Sequence, residues 1–338
     1  MIRITDCSGY QGTWDGVSEA SPAGTIFHKD AWIGVLERSL GIRVKRLAAE
    51  EGGEVVGIIP VSLNITPDQW GKTRRLPLSA SSPPVNIETP YGGPIALPGR
   101  EEAVFHLVRH LLRRTPSTRV IFSPDPAEAE LTYPGLGGLA KVQTKRTYIV
   151  DLDLNRGALW SNCKGNMRTH VRKARKLGVR FTTSDRFEDL DDFLRLIRMT
   201  YSRAGFSPLP GRFYREVFAT YAAEGMAMLF FAEVDGYRAA AEISLIDGDR
   251  LYSWSGGSDQ DFWKFRANNL LSWGVLDWGR SRGLSMADLC GAGPPSIARY
   301  KKSLGGRACS YPFIDVQGRI YGRVGNLLQA IRARGNNA

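Results

Sequence analysis

Apolar residues recur along this chain at two spacings, three-to-four apart and two apart, and each change of spacing marks an element. The first half opens with a short strand over residues 1–5. A helix is predicted over 28–41, stopped by Gly41. Two strand-like runs, 44–51 and 54–63, flank the pair Gly52-Gly53, a hairpin signal. A further strand over 72–79, a turn-rich stretch over 81–99, an amphipathic helix over 100–114 and a buried-type strand over 118–124 complete this half.

The second half repeats the grammar. A strand over 143–152 reads as the joint between halves. A single long helix is predicted over 157–178, then helices over 187–205 and 210–225, the latter with Pro210 at its start. Three strands follow, over 226–236, 237–248 and 249–257, turned by Asp235-Gly236 and Asp247-Gly248. A helix over 266–283, a strand over 285–290, a helix over 296–306 and a terminal strand and helix close the chain. Strands that meander through hairpins predict a mixed α/β fold of two similar halves, not an alternating parallel sheet.

Composition narrows the class. With 338 residues, 43% hydrophobic and 23% charged, the sequence predicts a globular protein of two domains. No apolar run reaches the roughly 18 residues needed to span a bilayer. The N-terminus lacks the basic and apolar regions of a secretory signal. Cys7, Cys163, Cys290 and Cys309 form no C-x-x-C pair, so zinc ribbons and thioredoxin-type chemistry are unsupported and a cytoplasmic setting is expected. The formal net charge of +11 favours polyanionic partners.

That charge is concentrated. Between Leu154 and Ser184 there is no Asp or Glu, while Lys164, Arg168, Arg172 and Lys176 recur every four residues, with Lys173 and Arg175 beside them. Like charges at helical spacing repel, so the stripe costs stability unless an anion offsets it. A docking surface for phosphates and a solvated basic face are the two readings. Glu242, inside the apolar run 239–246, is expensive to bury and suited to act as a base for an amine; it could equally face solvent. His106 and His110 lie four apart without a neighbouring acid and suggest packing, not a metal site. No Ser-His-Asp order or G-x-S-x-G elbow supports nucleophilic hydrolysis.

Five stretches in order resemble the Fem family of peptidoglycan-bridge aminoacyltransferases and its shorter relatives. They are "GNMRTHVRKARKLGVRF", "YSRAGFSP", "DGYRAAAEISLIDGDRLYSWSGGS", "LLSWGVLDWGRSRGLSMADLCGAG" and "SIARYKKSLGG". The first half is similar to that family more loosely, in "TIFHKDAWIGVLERS", "GEVVGIIPVSL" and "LPLSASSPPVNIETPYGGPIA". The resemblance implies two tandem GNAT-like domains, at 1–145 and 146–338, each a mostly antiparallel twisted sheet flanked by helices. It implies transfer of an aminoacyl group from aminoacyl-tRNA to an amine, with no metal or bound cofactor.

The family's aromatic-lysine pair matches Tyr300 and Lys301, the lysine stabilising charge at the reacting ester. Glu242 and Asp288 are the candidate bases. Lys164, Arg168, Arg172, Lys173, Arg175 and Lys176 would hold tRNA, and Arg203, Trp254, Tyr91 and Arg299 would line the substrate site. The long helical arm of larger members is missing. Leu36 and Glu37 replace the basic residue that usually follows the N-terminal tryptophan, here Trp32, which favours a small amine or peptide acceptor over a cell-wall nucleotide.

Two rival readings stand beside this one. An acyl-coenzyme A N-acyltransferase would use the same fold. Such enzymes carry an Arg/Gln-x-x-Gly-x-Gly/Ala loop whose amides hold pyrophosphate at a helix N-terminus. Here Gly256-Gly257 are followed by a segment without that motif and with Asp259 and Asp261. The other rival is a non-catalytic RNA-binding protein on a degenerate transferase fold.

Overall fold

Short glycine turns set the register of both sheets. The computed structural model describes residues 1–8, 11–67, 73–82, 90–114, 119–123, 126, 140–205, 207–291 and 293–317. The chain divides into two compact units. One comprises Met1–Glu37, Gly41–Lys145 and Ser310–Ala338; the other comprises Arg38–Leu40 and Arg146–Cys309.

The first unit contains β1 (Arg3–Asp6), α1 (Gln11–Ala20), α2 (Asp30–Leu40), β2 (Val44–Glu51), β3 (Glu54–Pro67), β4 (Thr73–Ser81), β5 (Ile95–Ala96), α3 (Glu102–Arg114) and β6 (Arg119–Phe122). Its sheet runs β1-β2-β3-β4, with β5 on β3. Gly52 and Gly53, at φ 61° and 89°, make the two-residue turn that pairs Glu51 with Glu54. These left-handed values are what a right-twisted hairpin requires, and only glycine adopts them without strain. Leu47, Ile59, Val61, Leu107, Val108 and Phe122 form this unit's core.

β7 (Ala140–Asp151) carries the chain into the second unit. There follow α4 (Arg156–Asn162), α5 (Gly165–Lys176), β8 (Arg180–Ser184), α6 (Leu190–Arg203), α7 (Gly211–Tyr221), β9 (Ala227–Val234), β10 (Tyr237–Asp247), β11 (Arg250–Ser258), α8 (Ala267–Ser281), β12 (Met286–Asp288) and α9 (Pro295–Ser303). The strand order is β7-β12-β11-β10-β9-β8. β11 and β12 pair in parallel, while β8-β9, β9-β10, β10-β11 and β12-β7 pair antiparallel. Tyr148, Val150, Phe230, Leu251, Leu270 and Trp273 belong to the core here.

The structure departs from the sequence reading at five places. The single helix expected over 157–178 is two helices. Asn155 caps α4, Lys164 is extended (φ −62°, ψ 153°), and the Lys164 amide donates to the Ser303 carbonyl at 2.9 Å, so the backbone leaves helical geometry to meet α9. α1 and β8 were not predicted. The third hairpin turn is Gly248-Asp249, because Asp247 itself pairs with Arg250. The final strand, β13 (Arg307–Gln317), pairs with β6, so its residues from Ser310 group with the first unit and not with 146–309. The expected terminal helix lies outside the described residues.

Gly257 has a plain packing role. A Cβ built there would stand 2.5 Å from the Leu196 carbonyl oxygen and 2.6 Å from its carbon, because α6 crosses β11 at this point. Gly257→Ala is therefore expected to destabilise the protein by about 1–3 kcal/mol through overpacking, as read by urea unfolding. An unchanged midpoint would show that α6 does not approach β11 this closely.

Candidate active site

Lys301, on α9, is half-buried, and all three protons of its ammonium are accounted for. It donates to the carbonyls of Leu289, Cys290 (3.0 Å) and Gly291 (2.6 Å). These carbonyls belong to the loop leaving β12. Cys290 and Gly291 sit at φ 51° and 75°, two successive left-handed residues that turn their carbonyls to one side. Burial holds the Lys301 pKa below its ordinary value of 10.5. The sequence reading aimed this ammonium at the transferred group; here it clamps the loop.

Asp288 works on the other side of the same loop. Its carboxylate, 1% exposed, accepts from the Thr147 hydroxyl (2.6 Å) and the Cys290 amide (2.8 Å). Thr147 in turn accepts from the Gly291 amide at 3.1 Å. The candidate base Asp288 is thus committed to holding loop amides. Thr147, its partner across the sheet, was not singled out from the sequence, since a threonine in a strand gives no signal of its own.

Glu242 points into the interior at 8% exposed. Ser244 donates to Oε1 at 2.8 Å, and Ser253 bonds it from β11. Burial raises its pKa above the ordinary 4.5, while these serines and the Lys301 charge oppose the rise. Glu242 interacts electrostatically with both Tyr300 and Lys301, and Lys301 also senses Asp288. The structure therefore brings the four candidate residues together.

Tyr300 anchors α9 to α8. Its proton goes to the Asn268 carbonyl at 2.9 Å, so the Ser272 hydroxyl, also at 2.9 Å, donates to it. Burial pushes its pKa well up. The ring lines a cleft of about 270 Å³ with His170, Ser258, Trp263, Arg266 and Asn268. Trp263 is 51% exposed and carries the Arg203 guanidinium 4.9 Å from its ring centre. Arg266 takes a left-handed φ of 62° just before α8, and its buried Nε has no hydrogen-bond partner among the described residues.

Where a pyrophosphate loop would present amides, this chain presents its own carboxylate. Asp259, 5% exposed, accepts from the Asp261 amide at 3.0 Å and from the Tyr237 hydroxyl at 2.8 Å. Gly256-Gly257 are accounted for by strand and helix packing.

The other expected substrate residues are scattered. Arg203, at the end of α6, donates to the Ser258 carbonyl at 3.3 Å and stands behind Ser258 and Trp263, which line the cleft. Trp254 is the extra residue of a β-bulge, lying between Ser253 and Ser255 opposite Ser244 and Ile243. Its ring, 7% exposed, packs 5.9 Å from both Phe213 and Tyr214. Arg299 is exposed on α9. Tyr91 is in the first unit, fully buried and edge-on to Phe27 and Tyr311.

The basic stripe survives the break between α4 and α5. Met167, Val171 and Ala174 form the buried face of α5, leaving Lys164, Arg172, Lys173, Arg175 and Lys176 exposed and Arg168 half-buried. Arg168 donates to the Ser161 carbonyl (3.0 Å), and Arg172 lies 5.5 Å from the Trp160 ring centre. Among the described residues none of the six has an acidic partner. Nor does any group of three His, Cys, Asp or Glu suit a metal ion, and no described helix is long and apolar enough to cross a membrane.

Glu242→Gln tests the buried carboxyl. A raised native pKa means that the folded state holds the proton more tightly, so this contribution is complete below about pH 4.5 and is lost as pH rises through the native value. Urea unfolding from pH 4 to 9 should show the variant gaining stability relative to wild type as pH rises. A constant difference would mean that the carboxyl titrates normally.

Residues 161–302 match the family model described as an acetyltransferase (GNAT) domain. No curated protein matches the chain by sequence. Its fold is similar to the crystal structure of FemX, at 15% identity and TM-score 0.68, over 93% of this chain and 98% of that one. It is also similar to a tandem GNAT protein from the clavulanic acid biosynthesis pathway, at 13% identity and TM-score 0.55, over 94% and 99% of the two chains. A third likeness is to L-PGS from Bacillus licheniformis, at 13% identity and TM-score 0.54, over 85% and 91%. The chain thus carries a tandem GNAT-like fold similar to that of FemX, and its residues 161–302 match the GNAT domain model.

Proposed function

We propose that this chain forms amide bonds by transferring an aminoacyl group from aminoacyl-tRNA to a small amine or peptide. One observation carries the choice of donor. Asp259 bonds its own loop amide where a coenzyme A pyrophosphate would need those donors, and its charge would repel that group. An RNA donor needs cations along a strand instead, and the uncompensated stripe on α5 supplies them.

The ester is already activated, so positioning and charge control suffice. The acceptor nitrogen attacks the ester carbonyl, the new C–N bond forms, and the C–O bond to the ribose breaks. Glu242, whose burial raises its pKa and so its basicity, takes the amine proton. That proton is then available to the departing ribose oxygen. Lys301 acts at one remove: it fixes the loop 289–291 and biases Glu242 toward its charged form. Trp263, backed by Arg203, and Arg266 border the cleft that the donor's end would enter.

An acyl-coenzyme A donor is the second reading, favoured by the acetyltransferase description of the matching domain model. Labelled aminoacyl-tRNAs and labelled acetyl-coenzyme A, each offered with a panel of amines, separate the two. Transfer from aminoacyl-tRNA that RNase abolishes is expected, with Glu242→Gln slower by about 10²–10⁴-fold, the usual worth of a general base. Transfer from coenzyme A alone would overturn the proposal.

A further inference from the structure

Helix α5 separates two different environments. His170 borders the Tyr300 cleft, whereas Arg172 and Arg175 border another cleft, of about 330 Å³, with Arg156, Trp160 and Trp273. An adjoining cleft of about 320 Å³ shares Arg175 and Trp273 and adds Trp278 and Asp277. Together they make a groove between α4, α5 and α8.

Three features of this groove point to a ligand. The first is charge. Its carboxylate, Asp277, is matched twice, by Arg156 at 2.8 Å and Arg280 at 3.3 Å. Arg172 and Arg175 remain without an acidic partner among the described residues, so the groove is a net cation. The second is ring surface. Trp160 and Trp273 stand edge-on with centres 4.7 Å apart, and Arg172 lies 5.5 Å from the Trp160 centre. The third is an unanswered donor. Trp273 is 2% exposed, and its indole N–H has no hydrogen-bond partner among the described residues. A buried indole normally finds an acceptor, and leaving it without one costs about 1–3 kcal/mol.

Cations, ring faces and a spare N–H are what a nucleotide uses: phosphate, base and base-edge acceptor. The groove is also continuous with a line of charge. Lys164, Arg168, Arg172 and Lys176 recur every four residues, roughly 6 Å apart along the axis. A row of cations suits a chain of phosphates better than a single one.

We propose that this groove receives an unpaired nucleotide of an RNA strand, with its phosphate on Arg172 and Arg175 and its base against Trp160 and the Trp273 N–H. The site is distinct from the Tyr300 cleft. It deepens the RNA-donor reading and rests on it only for which RNA binds. It gives the protein a second grip on its partner, away from the reacting end.

Fluorescence anisotropy with a labelled single-stranded RNA decamer tests the proposal on the whole protein. Circular dichroism and thermal melting confirm that each variant folds. Arg172→Ala/Arg175→Ala is expected to weaken binding at least 10-fold. It should also flatten the salt dependence by about 0.7 in log–log slope, the loss of one single-strand phosphate contact. Trp273→Phe keeps the ring and removes the donor, and should weaken binding several-fold without changing the slope. Trp160→Leu should weaken it by roughly 5-fold or more through lost stacking.

Unchanged affinity and slope in the folded double variant would overturn the proposal. So would equal loss of affinity for a blunt RNA duplex, which offers no unpaired base. If inorganic phosphate at millimolar concentration displaces the decamer fully, the groove is a simple anion site and the proposal also fails. Parallel transfer assays keep the two readings apart. Groove-dependent RNA binding without aminoacyl transfer supports the groove and sinks the donor reading. Wild-type transfer and affinity in the double variant do the reverse.

Discussion

A single half-buried lysine organises the candidate site. Lys301 spends its three donors on three consecutive carbonyls of the loop after β12, and that loop holds two left-handed residues in succession. Left-handed geometry costs a non-glycine residue about 1–3 kcal/mol and persists only when its surroundings enforce it. Here the enforcement comes from both sides, with Lys301 on the carbonyls and Asp288 and Thr147 on the amides. Removing either side leaves buried polar groups without partners, which is the costly direction of any hydrogen-bond change.

The same lysine links structure to chemistry. Burial raises the Glu242 pKa, while Ser244, Ser253 and the Lys301 charge act against the rise. A base must be charged to accept a proton and basic enough to want it, so influences of both signs bear on this role. Tyr300 keeps Lys301 in register by tying α9 to the first turn of α8. The two lysines that look like duplicates in the sequence therefore differ: Lys301 is an internal clamp, and Lys302 is exposed at the end of α9.

Local signals made much of the fold legible. Glycine turns at 52–53 and 235–236 and the apolar periodicity of α2, α3, α6, α7 and α8 were sufficient, because each is decided within a few residues. α1 escaped because Gly12 and Gly16 dilute its pattern, and β8 because five residues with two threonines carry little periodicity. The break between α4 and α5 depends on a bond to Ser303, some 140 positions away, and no local pattern reports that. The site was half legible. A carboxylate among alanines and an aromatic-lysine pair stand out as residue types. That the lysine meets backbone carbonyls does not, since every residue has one. Gly256-Gly257, already without the pyrophosphate motif in the sequence, have a packing role that the sequence does not report, since Gly257 admits the close crossing of α6.

The central claim is that Lys301 acts by holding the loop, not by facing the reacting ester. Amide hydrogen exchange in Lys301→Met, which retains side-chain length and removes the donors, tests it most directly. Loop clamping predicts that the Cys290 and Gly291 amides, protected in the wild type by Asp288 and Thr147, exchange at least 10-fold faster in the variant, alongside loss of transfer. Loss of transfer with unchanged protection at 290–291 would contradict it and return Lys301 to the role of a cation aimed at the substrate.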